Sequence, residues 1–85
     1  MKASHRKTFC AIFARPAGGN IKWRSIEALF KALGADVEER EGSRIAVIFP
    51  DSAPDIFHRP HPSPDTSRAA VTEVRKMLVR RGFKP

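Results

Sequence analysis

Residues 35–50, ADVEEREGSRIAVIFP, decide the fold. Glu41-Gly42-Ser43 is a turn signal between two extended runs. In the second run Ile45, Val47 and Phe49 alternate with Ala46 and Ile48, the period-2 pattern of a strand. The first run is weaker. Val37 is its one clear apolar residue, and Glu38, Glu39 and Glu41 mark it as an expected edge strand. The two runs read as a hairpin. Beyond a second turn, PDSAP, the segment DIFHR (55–59) reads as a short third strand that stops at Pro60.

Helical patterns flank the strands. WRSIEALFKALG (23–34) places Ile26, Leu29, Phe30 and Leu33 at i, i+3, i+4 and i+7, a full buried stripe. Gly34 is the expected C-cap, and Glu27 with Lys31 is the favoured i, i+4 order. Upstream, RKTFCAIFAR (6–15) carries Phe9, Ile12 and Phe13 on one face and stops before Pro16. Cys10 falls inside this apolar pattern, so a buried packing role is expected. Downstream, PSPDTSRAAVTEVRKMLVRRG (62–82) presents Ala70, Val71, Val74, Met77 and Leu78, with Gly82 as its end. Ser63 before Pro64 is one cap for this helix; Asp65 and Ser67 are others.

The order α-α-β-β-β-α predicts an α+β fold in one domain, residues 1–85, with a three-stranded antiparallel sheet packed against helices. Residues 1–20 supply an additional helix and connector ahead of a core at 21–85. Helix, meander, helix is similar to the double-stranded-RNA-binding fold. With 85 residues the core is thin, so chemistry is expected on a surface or in a shallow groove. A single cysteine excludes an internal disulfide and a cysteine zinc cluster. No apolar run is long enough to span a bilayer, and the N-terminus lacks a secretory pattern, so the expected location is cytoplasmic.

Charge narrows the partners. The net charge is +7, unevenly spread. Residues 1–24 hold six Lys/Arg and no acid; 25–65 hold four against eight acids; 66–85 hold six against one. Basic ends suit a phosphate backbone or an acidic protein.

The candidate chemistry lies in FHRPHPSPD (57–65). His58 and His61 are candidate proton carriers on a segment stiffened by Pro60, Pro62 and Pro64. RNA cleavage without a metal needs a base for the 2′-hydroxyl, an acid for the leaving oxygen, and cations near the developing charge. His58 and His61 fit the first two roles, and Arg44 and Arg59 the third. Antiparallel pairing of the second and third strands would bring Arg44 beside His58. A stiff connector with a hydrogen-bonded histidine is the plainer alternative. A metal is not expected, because Pro60 prevents the helical placement of common two-histidine zinc motifs, nor a cofactor, because so small a domain has little room for a large internal pocket. Arg59, Arg68, Arg75 and Lys76 are the expected phosphate contacts. Arg80 and Arg81 could equally meet an acidic protein.

The run from Trp23 to Gly82 resembles a known family. The helix ending KALGA, the turn EGSR into a strand, and FHRPHP before the last helix are similar to HicA-type toxins of bacterial HicAB toxin–antitoxin modules. The resemblance implies a double-stranded-RNA-binding-like fold, metal-independent cleavage of mRNA, and neutralisation by a HicB-like antitoxin. His61-Pro62 matches a histidine-proline pair of that family, and His58 fits a subgroup with the FHRPHP signature. Arg44 departs from the pattern, standing where many members have their catalytic histidine. The competing reading is therefore a non-catalytic RNA-binding or antitoxin-docking module of the same fold.

Overall fold

The first helix, α1, runs Ala3–Phe13 and turns Phe9 and Ile12 into the core. The structure, a computed structural model, describes residues 1–16, 20–60 and 64–85. Phe9 and Phe13 pack one turn apart with tilted rings, centroids 4.8 Å. Cys10 corrects the sequence expectation: it is exposed. One residue step is about 100° around a helix, which carries Cys10 off the face that Phe9, Ile12 and Phe13 share.

The second helix, α2, spans Trp23–Ala32 and buries Trp23, Ile26, Leu29 and Phe30. It ends in a Schellman motif. Gly34 takes φ 102, its N–H donates to the Lys31 carbonyl at 3.0 Å, and the Ala35 N–H donates to Phe30 at 3.0 Å. Glycine meets that positive φ without a Cβ penalty. The last helix, α3, spans Arg68–Arg80 and closes the same way at Gly82, with Gly82 N–H to Val79 and Phe83 N–H to Leu78, both 2.9 Å.

Of the three candidate caps for α3, Ser67 serves: its hydroxyl accepts from the Ala70 N–H at 3.1 Å. The cause is long-range. Trp23 N–H donates to the Pro64 carbonyl at 3.1 Å and Thr66 N–H to Ile21 at 2.8 Å. Lys22 pairs with Asp65 at 2.7 Å. Residues 64–66 are thus held extended against the entry of α2, and the helix begins only beyond them. Ser63 lies outside the described residues.

Between α2 and α3 the chain forms a three-stranded antiparallel sheet, β1 (Asp36–Glu39), β2 (Arg44–Ile48) and β3 (Asp55–His58), in the order β1-β2-β3. β1 is an edge strand, as its charges predict. In the hairpin, the Arg40 N–H donates to the Arg44 carbonyl at 2.8 Å, with Gly42 at φ 69 and Ser43 at φ 63 in the turn. Ile45, Val47 and Phe49 face the helices. They join Phe30, Leu29, Val71, Val74, Met77 and Leu78 in one cluster that includes Phe9 and Ile12. So α1 shares the core of residues 21–85.

Two aromatic groups close the ends of this core. Phe57 stacks on Phe30 at 5.8 Å and meets Trp23 at 6.1 Å. At the other end Phe83 packs on Phe49 at 5.8 Å, and the Arg81 guanidinium sits 5.2 Å over the Phe49 ring while pairing with Asp55 at 2.7 Å.

Phe30 is fully buried and Val79 is 55% exposed. Phe30→Ala is expected to lower unfolding stability by about 3–5 kcal/mol, and Val79→Ala by less than about 0.5 kcal/mol. Urea unfolding followed by circular dichroism measures both; similar losses at the two positions would contradict this core.

Candidate functional site

The register of β2 and β3 places Arg44 directly opposite His58. This is the juxtaposition that antiparallel topology predicts. The Arg59 N–H donates to the Ser43 carbonyl at 2.9 Å just beyond the pair. Arg44 and His58 are therefore a non-hydrogen-bonded pair, the kind with the closer side chains, with Cβ atoms about 4.5–5.5 Å apart. Both are exposed, on the sheet face away from the helices. The Arg44 Nε donates to the Glu41 carbonyl at 2.9 Å, which leaves its remaining guanidinium donors available.

His58 also lines a groove of about 540 Å³ between β3 and α3. Ala69 and Ala70 keep the helix side low, and Glu73, Lys76 and Arg80 stand along it. Lys76 pairs with Glu73 at 3.6 Å, both strongly exposed, so this contact is weak and the ammonium is free to turn into the groove. Arg80 reaches Asp55 at 3.4 Å. The groove thus gathers an imidazole, two cations and the carboxylates of Asp55 and Glu73, and Arg44 faces His58 from β2 without lining it. Such a set can exchange a proton and stabilise negative charge on a phosphate. Among the described residues, no group of three or more His, Cys, Asp or Glu could hold a metal ion. Nor is any helix among them long and apolar enough to cross a membrane.

The other residues singled out from the sequence separate. Arg59 follows His58 and points the opposite way, as alternate strand residues do. Its guanidinium forks onto both Glu27 oxygens, at 2.8 and 3.0 Å, and also bonds Glu39. Arg75 donates to the Ile12 carbonyl at 2.9 Å and the Ala14 carbonyl at 3.3 Å. It caps the C-terminus of α1, where a cation also complements the helix dipole. Arg68 is exposed at the first residue of α3. His61 lies outside the described residues. Sequence reasoning missed Glu73 as a groove residue and the Glu27–Arg59–Glu39 cluster. The i, i+4 spacing offered Lys31 as the partner of Glu27, and no local signal pointed to Arg59.

The cluster has a measurable electrostatic consequence. Burial alone would raise the Glu27 pKa. The hydrogen bonds and charge of Arg59 outweigh burial, Trp23 and Lys31 add to them, and the net result lies below the usual glutamate value. The Trp23 indole N–H contributes by proximity only: it is buried and makes no hydrogen bond among the described residues. Arg59 is raised in turn, chiefly by its hydrogen bond to Glu27 and then by Glu39.

Because the Glu27 pKa is depressed in the folded state, its stabilisation is full above the unfolded value of about 4.3. It is lost as pH falls through the lower folded value. Glu27→Gln is expected to cost about 1–3 kcal/mol at pH 7, the range for charge-assisted hydrogen bonds, with wild type and variant converging in acid. Urea midpoints measured from pH 7 down to pH 2 test this; a gap independent of pH would refute it.

No family model, no curated protein and no solved structure matches the chain.

Proposed function

We propose that this chain is a HicA-type toxin: a small RNA-directed protein that cleaves mRNA without a metal, arrests growth in the cytoplasm, and is neutralised by a HicB-like antitoxin. The observation that carries the reading is the Arg44–His58 pair on β2 and β3. The order helix, three-stranded meander, helix supports a double-stranded-RNA-binding-like fold for α2 to α3. The net charge of +7 supports a polyanionic target.

In this reading His58 accepts the proton of a ribose 2′-hydroxyl. The 2′-oxygen forms a bond to phosphorus and the bond from phosphorus to the 5′-oxygen breaks. A protonated imidazole, that of His61 or the recharged His58, returns a proton to the departing 5′-oxygen. Arg44 and Lys76 stabilise the charge on the phosphorane oxygens, where fixed cations act most strongly. The products are a 2′,3′-cyclic phosphate and a free 5′-hydroxyl.

A second reading has its own observation. The His58 imidazole makes no hydrogen bond among the described residues, so none of them orients it, and Arg44 stands where the family pattern has a histidine. A module that binds RNA or docks an antitoxin without cleaving fits both facts.

Cleavage of an mRNA by purified protein in EDTA separates the two readings. Wild type is expected to cleave. His58→Ala should lower the rate about 10²–10⁴-fold while RNA affinity stays within about threefold. Arg44→Ala should lower the rate less and weaken binding. A folded wild-type protein that binds RNA but leaves it intact would establish the non-catalytic reading. Loss of cleavage in His61→Ala with His58→Ala unaffected would move the base to His61.

A further inference from the structure

We propose that a second groove, at the start of α2, binds the phosphodiester backbone of a single RNA strand and continues the path of the His58 groove. The inference rests on the chain being RNA-directed and goes on to name where the strand is held. The groove has a volume of about 660 Å³. Trp23, Ala28, Pro60 and Pro64 form its apolar part, and Lys22, Arg24, Lys31 and Arg59 supply its cations. Trp23 also lines the His58 groove, so the two share a wall.

Charge decides the ligand class. Among the described residues Glu27 is the one carboxylate lining the groove, and Arg59 already neutralises it through two hydrogen bonds. Lys22 is paired with Asp65 and Arg59 with Glu27 and Glu39. Arg24 and Lys31 are different. Both are exposed, and neither makes a hydrogen bond or an ion pair among the described residues. They stand seven residues apart on α2, about 10.5 Å along the axis. That separation exceeds the reach of one phosphate's oxygens and suits successive phosphates of a strand. The first turn of α2 has no acidic residue and no side-chain cap, so its partial positive charge adds to these cations. The apolar part between the cations gives ribose and base a surface to lie on.

The chain supplies its own probe. Trp23 is the sole tryptophan and there is no tyrosine, so fluorescence reports the wall that the two grooves share, and the variants tell the grooves apart. The ligand is a 2′-O-methyl pentauridylate, which binds but offers no 2′-hydroxyl for cleavage. Wild type is expected to show a saturable change in Trp23 emission whose affinity falls steeply with salt. The double variant Arg24→Ala/Lys31→Ala, checked for folding by circular dichroism, should bind at least about tenfold more weakly. Its salt slope should fall by about one for each cation removed.

Val79→Ala, on α3 outside both grooves, should leave this titration within about threefold of wild type. An unchanged affinity and slope in the double variant would overturn the proposal. So would equal affinity for inorganic phosphate, which would mark a free-anion site, or for poly-glutamate of matched charge, which would mark an acidic-protein surface. Failure of the folded wild type to bind the oligonucleotide overturns it as well. Loss of the cleavage reading alone does not, because this ligand cannot be cut.

Discussion

The fork of Arg59 onto Glu27 and Glu39 joins three elements that the chain reaches at different times: the end of β3, the middle of α2 and the end of β1. Two of its bonds reach a largely covered carboxylate, so this contact is worth more than an exposed ion pair. Its geometric effect matters as much. Drawing Arg59 toward α2 fixes the alternation at the end of β3, and His58 must then face the other way. The same contact stands beside Trp23, Phe30 and Phe57, where helix and sheet meet. The position of the candidate proton carrier follows from a neighbour that itself makes no contact with the His58 groove.

Much of the architecture was written in local patterns. The stripe in 23–33 and the alternation in 45–49 are short-range signals, and burial follows them. Gly34 and Gly82 stop their helices because a left-handed residue is needed there and the following N–H groups complete each cap. Antiparallel topology alone brought Arg44 beside His58. What could not be read came from contacts between distant segments. Ser67 caps α3, and not an earlier residue, because residues 64–66 are committed to α2. Arg75, a plausible phosphate contact from its place on a basic helix, closes the carbonyl end of α1 instead. Cys10 lies between apolar neighbours in sequence but not in space.

The cations divide by what they already hold. Arg59, Arg75 and Arg81 are used inside the fold, on carboxylates, carbonyls or an aromatic face. Arg24, Lys31 and Arg68 are not engaged in this way. A net positive charge in a sequence therefore overstates the surface offered to a ligand, because part of it is spent holding the chain together. In this protein that part lies toward the ends of the core, while Arg24 and Lys31 stay open along α2 and Arg68 at the start of α3.

The two free edges of the sheet differ. β1 presents Asp36, Glu38 and Glu39, so a second β1 strand would set acid against acid. β3 presents Ile56, which is 50% exposed. A sheet that can extend from both sides grows into fibres, whereas one that extends from a single side ends after one addition. The acidic hairpin edge gives the molecule this asymmetry. An edge that repels its own copy guards against edge-to-edge aggregation wherever copies of the chain crowd together.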